Sequence, residues 1–128
     1  MFAMEVADLV GMTFSAAFRG PVSGDSDAIV LVAGSEKYAF FHNQDCCEIV
    51  EIIDICGDLS DLIGSPLLRA EIRTNSEDAP PENVYTDDSY TWSFLELATI
   101  KGSVTVRWFG TSNGHYSEDV SLHMLGKE

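Results

Sequence analysis

The stretch Ser89 to Met124, SYTWSFLELATIKGSVTVRWFGTSNGHYSEDVSLHM, restricts the chain more than any other. It holds both tryptophans, and two segments inside it share one form, Thr99-Ile100-Lys101-Gly102-Ser103 and Thr111-Ser112-Asn113-Gly114-His115. Each suits a three-residue hairpin loop, a type I turn followed by a left-handed glycine that forms a bulge. Two such loops in succession predict a three-strand antiparallel meander.

Opposed residues of an antiparallel pair share a face, so the loops also predict a register. Counting out from the first sets Ala98 against Val104, Glu96 against Val106, Phe94 against Trp108 and Trp92 against Gly110. From the second, Val106 meets Val120, Val104 meets Leu122 and Gly110 meets Tyr116. The large apolar partners then lie on one face, whereas a two-residue Asn113-Gly114 turn would oppose Trp108 to Asp119.

The rest of the chain reads as short extended pieces. Met4 to Val10 suits a brief helical turn, and Thr13 to Arg19 looks extended before a Gly/Pro/Ser/Asp loop up to Asp27. Ala28 to Ala33 and Lys37 to His42 form a hairpin about Gly34-Ser35. Ile49 to Ile55 and Pro66 to Arg73 are further strands, separated by a helical turn within Asp58 to Ile63. Residues 75–88, with five acids and Pro80-Pro81, form one long acidic loop. The expected fold is mainly β, a β-rich α+β arrangement of antiparallel strands in one compact domain over residues 1–128, with one or two short helices.

At 128 residues such a chain can bury a real core. Its net charge of −14 repels phosphates and anionic bilayers, which argues against nucleic-acid and membrane binding; it suits a basic protein partner or nucleic-acid mimicry and equally well the plainer role of keeping a small protein in solution. The opening residues lack a basic segment and carry Glu5 and Asp8, unlike a secretory signal. Three cysteines, Cys46, Cys47 and Cys56, leave an odd thiol under any pairing. Free thiols and a cytoplasmic setting are expected, in the host cell if the chain is phage-encoded.

Two stretches, HNQDCCE with the following GDLSDLIGSPLL, and YTWSFLELATIKGSVTVRWFGTSNGHYSE, resemble a family of small phage and prophage proteins classed as a domain of unknown function. The resemblance runs from about His42 through Glu118. It implies a phage or mobile-element origin and no established activity. By association, it also implies a role against bacterial defence.

Within these motifs His42, Gln44, Asp45 and Glu48 form the densest group of reactive side chains and are candidate ligand-binding residues. Adjacent Cys46 and Cys47 point to opposite faces of an extended chain, and no C-x-x-C or second histidine at ligand spacing accompanies them, so no metal is expected. Arg107 suits an anionic planar ligand, although a cross-strand ion pair with Asp119 is its plainer use. Trp92, Gly110 and Tyr116 outline a slot for a flat ring, against the plainer reading that the aromatics cover the glycine. Glu96 and Glu118 share that face and need partners, and Asn113 sits at a turn. No catalytic triad, phosphate loop or cofactor signature is present, and no cofactor is expected.

The leading expectation is a non-enzymatic phage-type binding protein that sequesters a small ligand such as a nucleotide signal. An acidic, anti-CRISPR-like inhibitor of a basic nucleic-acid-binding host factor is the alternative, and an enzyme the third. Open sheet edges would permit a homo-oligomer.

Overall fold

The computed structural model of the chain describes residues 2–3, 5–22, 26–43, 47–75, 79–81, 89–114 and 118–127. Among these described residues nine strands follow in order: β1 Phe2–Ala3, β2 Ala16–Val22, β3 Ser26–Ala33, β4 Glu36–Phe41, β5 Ile49–Cys56, β6 Arg69–Asn75, β7 Ser89–Thr99, β8 Gly102–Ser112 and β9 Ser121–Lys127. They form two antiparallel sheets, ordered β1-β9-β4-β3-β2 and β5-β8-β7-β6. The expected helical pieces are single 3₁₀ turns at Val6–Leu9 and Leu59–Leu62. Asp58 caps the second by accepting the Ser60 N–H.

One core joins the sheets. Ile29, Leu31, Tyr38, Phe40 and Leu122 from the first pack against Ile52, Leu95, Leu97, Val104, Val106 and Trp108 from the second. Leu9, Phe14, Leu62 and Leu67, from the 3₁₀ turns and connecting segments, close one end. Gly64 N–H donates to Phe14 O and Leu67 N–H to Met12 O, which ties residues 12–14 to residues 64–67.

The β7–β8 hairpin exists, but its register is one residue away from the expected one. Thr99 pairs with Gly102 across a two-residue turn of Ile100 and Lys101, so Leu97 opposes Val104, Leu95 opposes Val106, Trp92 opposes Phe109 and Glu96 opposes Thr105. Both faces of β7 carry large apolar groups, so periodicity alone did not fix the register. Burial decides it. This register places Leu95, Leu97, Val104, Val106 and Trp108 inside, all fully buried, and turns Glu96 outward, whereas the slipped one would turn Glu96 inward.

The third strand of the meander is also corrected. β8 already has neighbours on both edges, β7 and β5, so β9 cannot join it. Residues 113–120 instead carry the chain to the other sheet, where β9 pairs with β4 through Phe40–Leu122 and Ala39–His123. Gly114 takes a φ of +92°, the left-handed conformation expected of it, but in this crossover instead of a hairpin loop.

Candidate functional site

The cross-strand rows of the second sheet show how its two faces differ. Inward, the rows read Val104–Leu97–Ala70, Ile55–Val106–Leu95–Ile72, Ile52–Trp108–Ser93–Thr74 and Val50–Gly110–Thr91. They pass from apolar to polar toward one end of the sandwich. Ser93 Oγ is buried there without a hydrogen-bond partner among the described residues. Beyond it, Glu118 is buried and accepts hydrogen bonds from Thr91 Oγ1 at 2.8 Å and Ser112 Oγ at 2.5 Å. Ser112 Oγ in turn accepts the Gly114 N–H at 3.0 Å. A carboxylate out of water is tolerable only with donors of this kind.

His42 and Glu48 lie at the same end of the chain's topology, after β4 and before β5. His42 Nδ1 is 2.7 Å from Asp119 O, and its Nε2 is 2.6 Å from Glu48 Oε2. A carbonyl oxygen only accepts, so Nδ1 carries a hydrogen. The Nε2 contact with a carboxylate then requires a second proton, held either on the imidazole or on Glu48. The Glu48 side chain is 0% exposed, so this pair stands out of solvent. Glu118 and Asp119 thus link the HNQDCCE segment to the SNGHYSE segment: Glu118 is held by Ser112 and the neighbouring Asp119 carbonyl by His42.

Gly110 permits this packing. A Cβ added there would stand 2.9 Å from Val50 Cγ2, 3.0 Å from Glu118 Cβ and 3.1 Å from Glu118 O. The space above the glycine is therefore filled by Val50 and Glu118, and Gly110 opposes Thr91 and Val50, not Trp92. The slot expected between Trp92 and Tyr116 across Gly110 does not have that geometry, and Tyr116 lies outside the described residues, as do Gln44 and Asp45.

The outward rows are of another kind. They read Glu51–Phe109–Trp92–Asn75, Asp54–Arg107–Phe94–Arg73 and Cys56–Thr105–Glu96–Glu71. Trp92 packs edge-on against Phe109 at 5.1 Å and stacks with Phe94 at 6.2 Å, and Tyr90 lies 5.5 Å from Phe109. The Arg107 guanidinium sits 5.3 Å from the Trp92 ring centre, and that of Arg73 lies 5.9 Å from Phe94. The Trp92 indole N–H donates to Ala79 O at 3.1 Å, and Trp92 is 6% exposed.

Arg107 makes a cross-strand ion pair, as expected in kind, but with Asp54 on β5 and not with Asp119. The two-pronged hydrogen bonding to Arg107 holds the Asp54 carboxyl below its ordinary range and raises the guanidinium. Glu96 finds its partners on the same face, Arg73 at 2.5 Å and Arg69 at 3.0 Å. Glu71 completes the quartet at 3.1 Å from Arg73 and 3.3 Å from Arg69.

The candidate residues therefore separate into two places. His42 and Glu48 stand in the buried end, with exposed Asn113 one residue beyond Ser112 of that network. Trp92, Glu96 and Arg107 share the outer face of the second sheet. Thr91, Ser112 and Phe109 were missed, because their roles appear only once the register and the β8–β9 crossover are known. The cysteines also depart from the three free thiols expected: Cys56 is free and exposed, whereas Cys47 is disulfide-bonded. Among the described residues, no group of three histidine, cysteine or acidic side chains is arranged to hold a metal ion, and no helix is long and apolar enough to cross a membrane.

No curated protein and no solved structure matches the chain. The sequence pattern of the domain of unknown function DUF7448 does match it over residues 7–122, nearly its whole length, and the chain belongs to that family.

Proposed function

We propose that the protein is a non-enzymatic binding protein that sequesters a small, planar, anionic ligand of the nucleotide class on the outer face of its second sheet. The observation that carries this reading is where the cations are. In a chain of net charge −14, three of the four arginines, Arg69, Arg73 and Arg107, gather on that one face, with Phe94 between Arg107 and Arg73 in a cross-strand row. Guanidinium groups beside aromatic rings suit a ligand that offers both a π-face and negative charge. The side chains of Arg73 and Arg107 are 57% and 39% exposed, so both reach solvent. A phage origin, a role against a host defence signal and a cytoplasmic location complete the proposal, supported by the resemblance of the two motifs.

The test is mass spectrometry of small molecules released when the purified protein is denatured. A nucleotide-class species at near-stoichiometric yield, lost from an Arg107→Ala variant of unchanged fold, is the expected result. Its absence from the wild-type protein, together with no binding across a nucleotide panel in calorimetry, overturns the proposal. The net charge favours a second reading, an acidic inhibitor of a basic, nucleic-acid-binding host protein. That reading predicts a salt-sensitive complex with such a protein, left intact by Arg107→Ala.

A further inference from the structure

Five large apolar side chains are exposed among the described residues: Val10, Phe18, Ile49, Leu68 and Ile100. Singly they are ordinary on a folded protein. Three of them, however, gather at one end of the sandwich. Gly11 N–H donates to Leu67 O at 2.7 Å, which sets Val10 beside Leu68, and Leu68 N–H donates to Ala98 O at 2.7 Å, which sets Leu68 beside the turn that carries Ile100. Val10, Leu68 and Ile100 thus stand on three adjoining segments, at 47%, 62% and 83% exposed. The base beneath them is tied down, since Thr99 Oγ1 donates to Asp61 O at 2.5 Å and Lys101 Nζ to Ile63 O at 2.7 Å. Ile100 is the most informative of the three. A hairpin apex commonly takes Gly, Asn, Asp or Ser, and an isoleucine there serves neither the turn nor the core. A group of exposed apolar side chains with a polar surround marks a contact surface.

The surround here is acidic on both sides. Glu5 and Asp8 belong to the first 3₁₀ turn, which ends at Val10, and Asp58 and Asp61 belong to the second, whose Asp61 carbonyl holds Thr99 beside Ile100. Glu5, Asp8 and Asp58 are exposed. The nearby cations already have partners, Lys101 in Ile63 O and Arg69 in Glu71 and Glu96 on the outer face of the second sheet. We propose that Val10, Leu68 and Ile100 form the docking site of a basic segment of another protein, whose apolar side chains cover these three while its lysines or arginines meet Glu5, Asp8 and Asp58. An apolar centre with a charged rim is the ordinary anatomy of such a contact. A second copy of the chain is a poor occupant, because it would bring the same acids face to face in a molecule of net charge −14. The inference stands whether or not the outer face of the second sheet takes a nucleotide.

Fluorescence anisotropy with a labelled amphipathic peptide of lysine and leucine tests it, beside a glutamate and leucine peptide of the same pattern. The wild-type protein is expected to bind the basic peptide in a salt-sensitive way and to leave the acidic one unbound. Leu68→Ser and Ile100→Ser are each expected to weaken binding about tenfold. The double variant D8N/D58N is expected to weaken it and to flatten its salt dependence. Phe18→Ser on β2 and Ile49→Ser on β5, which remove exposed apolar side chains elsewhere, are expected to leave binding unchanged. All four serines replace exposed residues, so urea unfolding should confirm that the fold survives. A wild-type protein that does not bind the basic peptide overturns the proposal, and so does an equal effect of all four serine variants. Sedimentation that shows a wild-type dimer dispersed by Leu68→Ser overturns it as well, since a second copy then covers the surface.

Discussion

Replacing Gly110 with alanine isolates the close approach on which the buried end depends. The added methyl would stand 2.9 Å from Val50 Cγ2, 3.0 Å from Glu118 Cβ and 3.1 Å from Glu118 O. Two of these neighbours belong to a residue whose carboxylate is anchored by Thr91 and Ser112, so it cannot retreat without loosening those bonds. Overpacking of this kind costs about 1–3 kcal/mol. Losing a hydrogen bond to a buried charge adds about 1.5–3 kcal/mol. The expected loss is therefore about 2.5–6 kcal/mol, which for a domain of this size lowers the melting temperature by roughly 10–20 °C. Gly20→Ala is the control. Its Cβ would meet only the Phe18 ring at 3.7 Å and 3.8 Å, ordinary contact, and its φ is not in the left-handed region, so its stability should change little. Urea unfolding of both variants gives the comparison. Adding Val50→Ala to Gly110→Ala should recover part of the loss. If Gly110→Ala unfolds at the same urea concentration as wild type, the close packing of Glu118 over the glycine is wrong.

Other expectations follow from the same geometry. Glu48→Ala removes the carboxylate from buried His42 Nε2 and should cost about 3–5 kcal/mol. Glu48→Gln should cost much less, since the amide can either donate its N–H to an unprotonated Nε2 or accept from Nε2–H through its oxygen, and chemical denaturation of the two variants separates these outcomes. Tyr38 donates to Glu36 at 2.6 Å, and that hydrogen bond, with burial and the nearby charge, pushes its phenol up from 10.0 to about 12. A raised folded-state value means that this contribution is fully present below pH 10.0 and is lost as pH rises toward about 12. Tyr38→Phe should flatten the decline in stability over that window, and ultraviolet titration of the wild type should show a late-ionising tyrosine that Tyr38→Phe removes. Thiol titration of the denatured, unreduced protein should find the Cys56 thiol reactive and that of Cys47 blocked until reduction.

The sequence made the strand-rich class, the Gly34-Ser35 hairpin and the two short helical turns legible, because each rests on local chemistry: β-branched runs, turn residues and short apolar spacing. It did not reveal the register of β7 against β8. Leu95 and Leu97 point one way while Trp92 and Phe94 point the other, so alternation fits either face. The second sheet is apolar outside because Arg73 and Arg107 cover its aromatics, and no local pattern shows that cover. Once the register was off by one, the slot at Gly110 followed from it and fell with it. The route of β9 was hidden for a topological reason: whether β8 has a free edge depends on where β5 goes, a contact more than fifty residues away in the chain. The motif His42 to Glu48 was recognisable as a dense group of reactive side chains. Its link to Glu118 and Asp119 needed the crossover.

Trp92 is too buried for its substitution to report cleanly on binding, so the central claim is best tested without mutation. Isotope-labelled protein titrated with a nucleotide panel and followed by amide NMR addresses the outer face of the second sheet directly. The proposal predicts saturable shifts that concentrate at Arg73, Phe94, Arg107 and Phe109 for at least one nucleotide, with Leu31 and Phe40 in the first sheet unmoved. Shifts confined to the first sheet or to the His42 and Glu48 end, or none with any nucleotide, would contradict it.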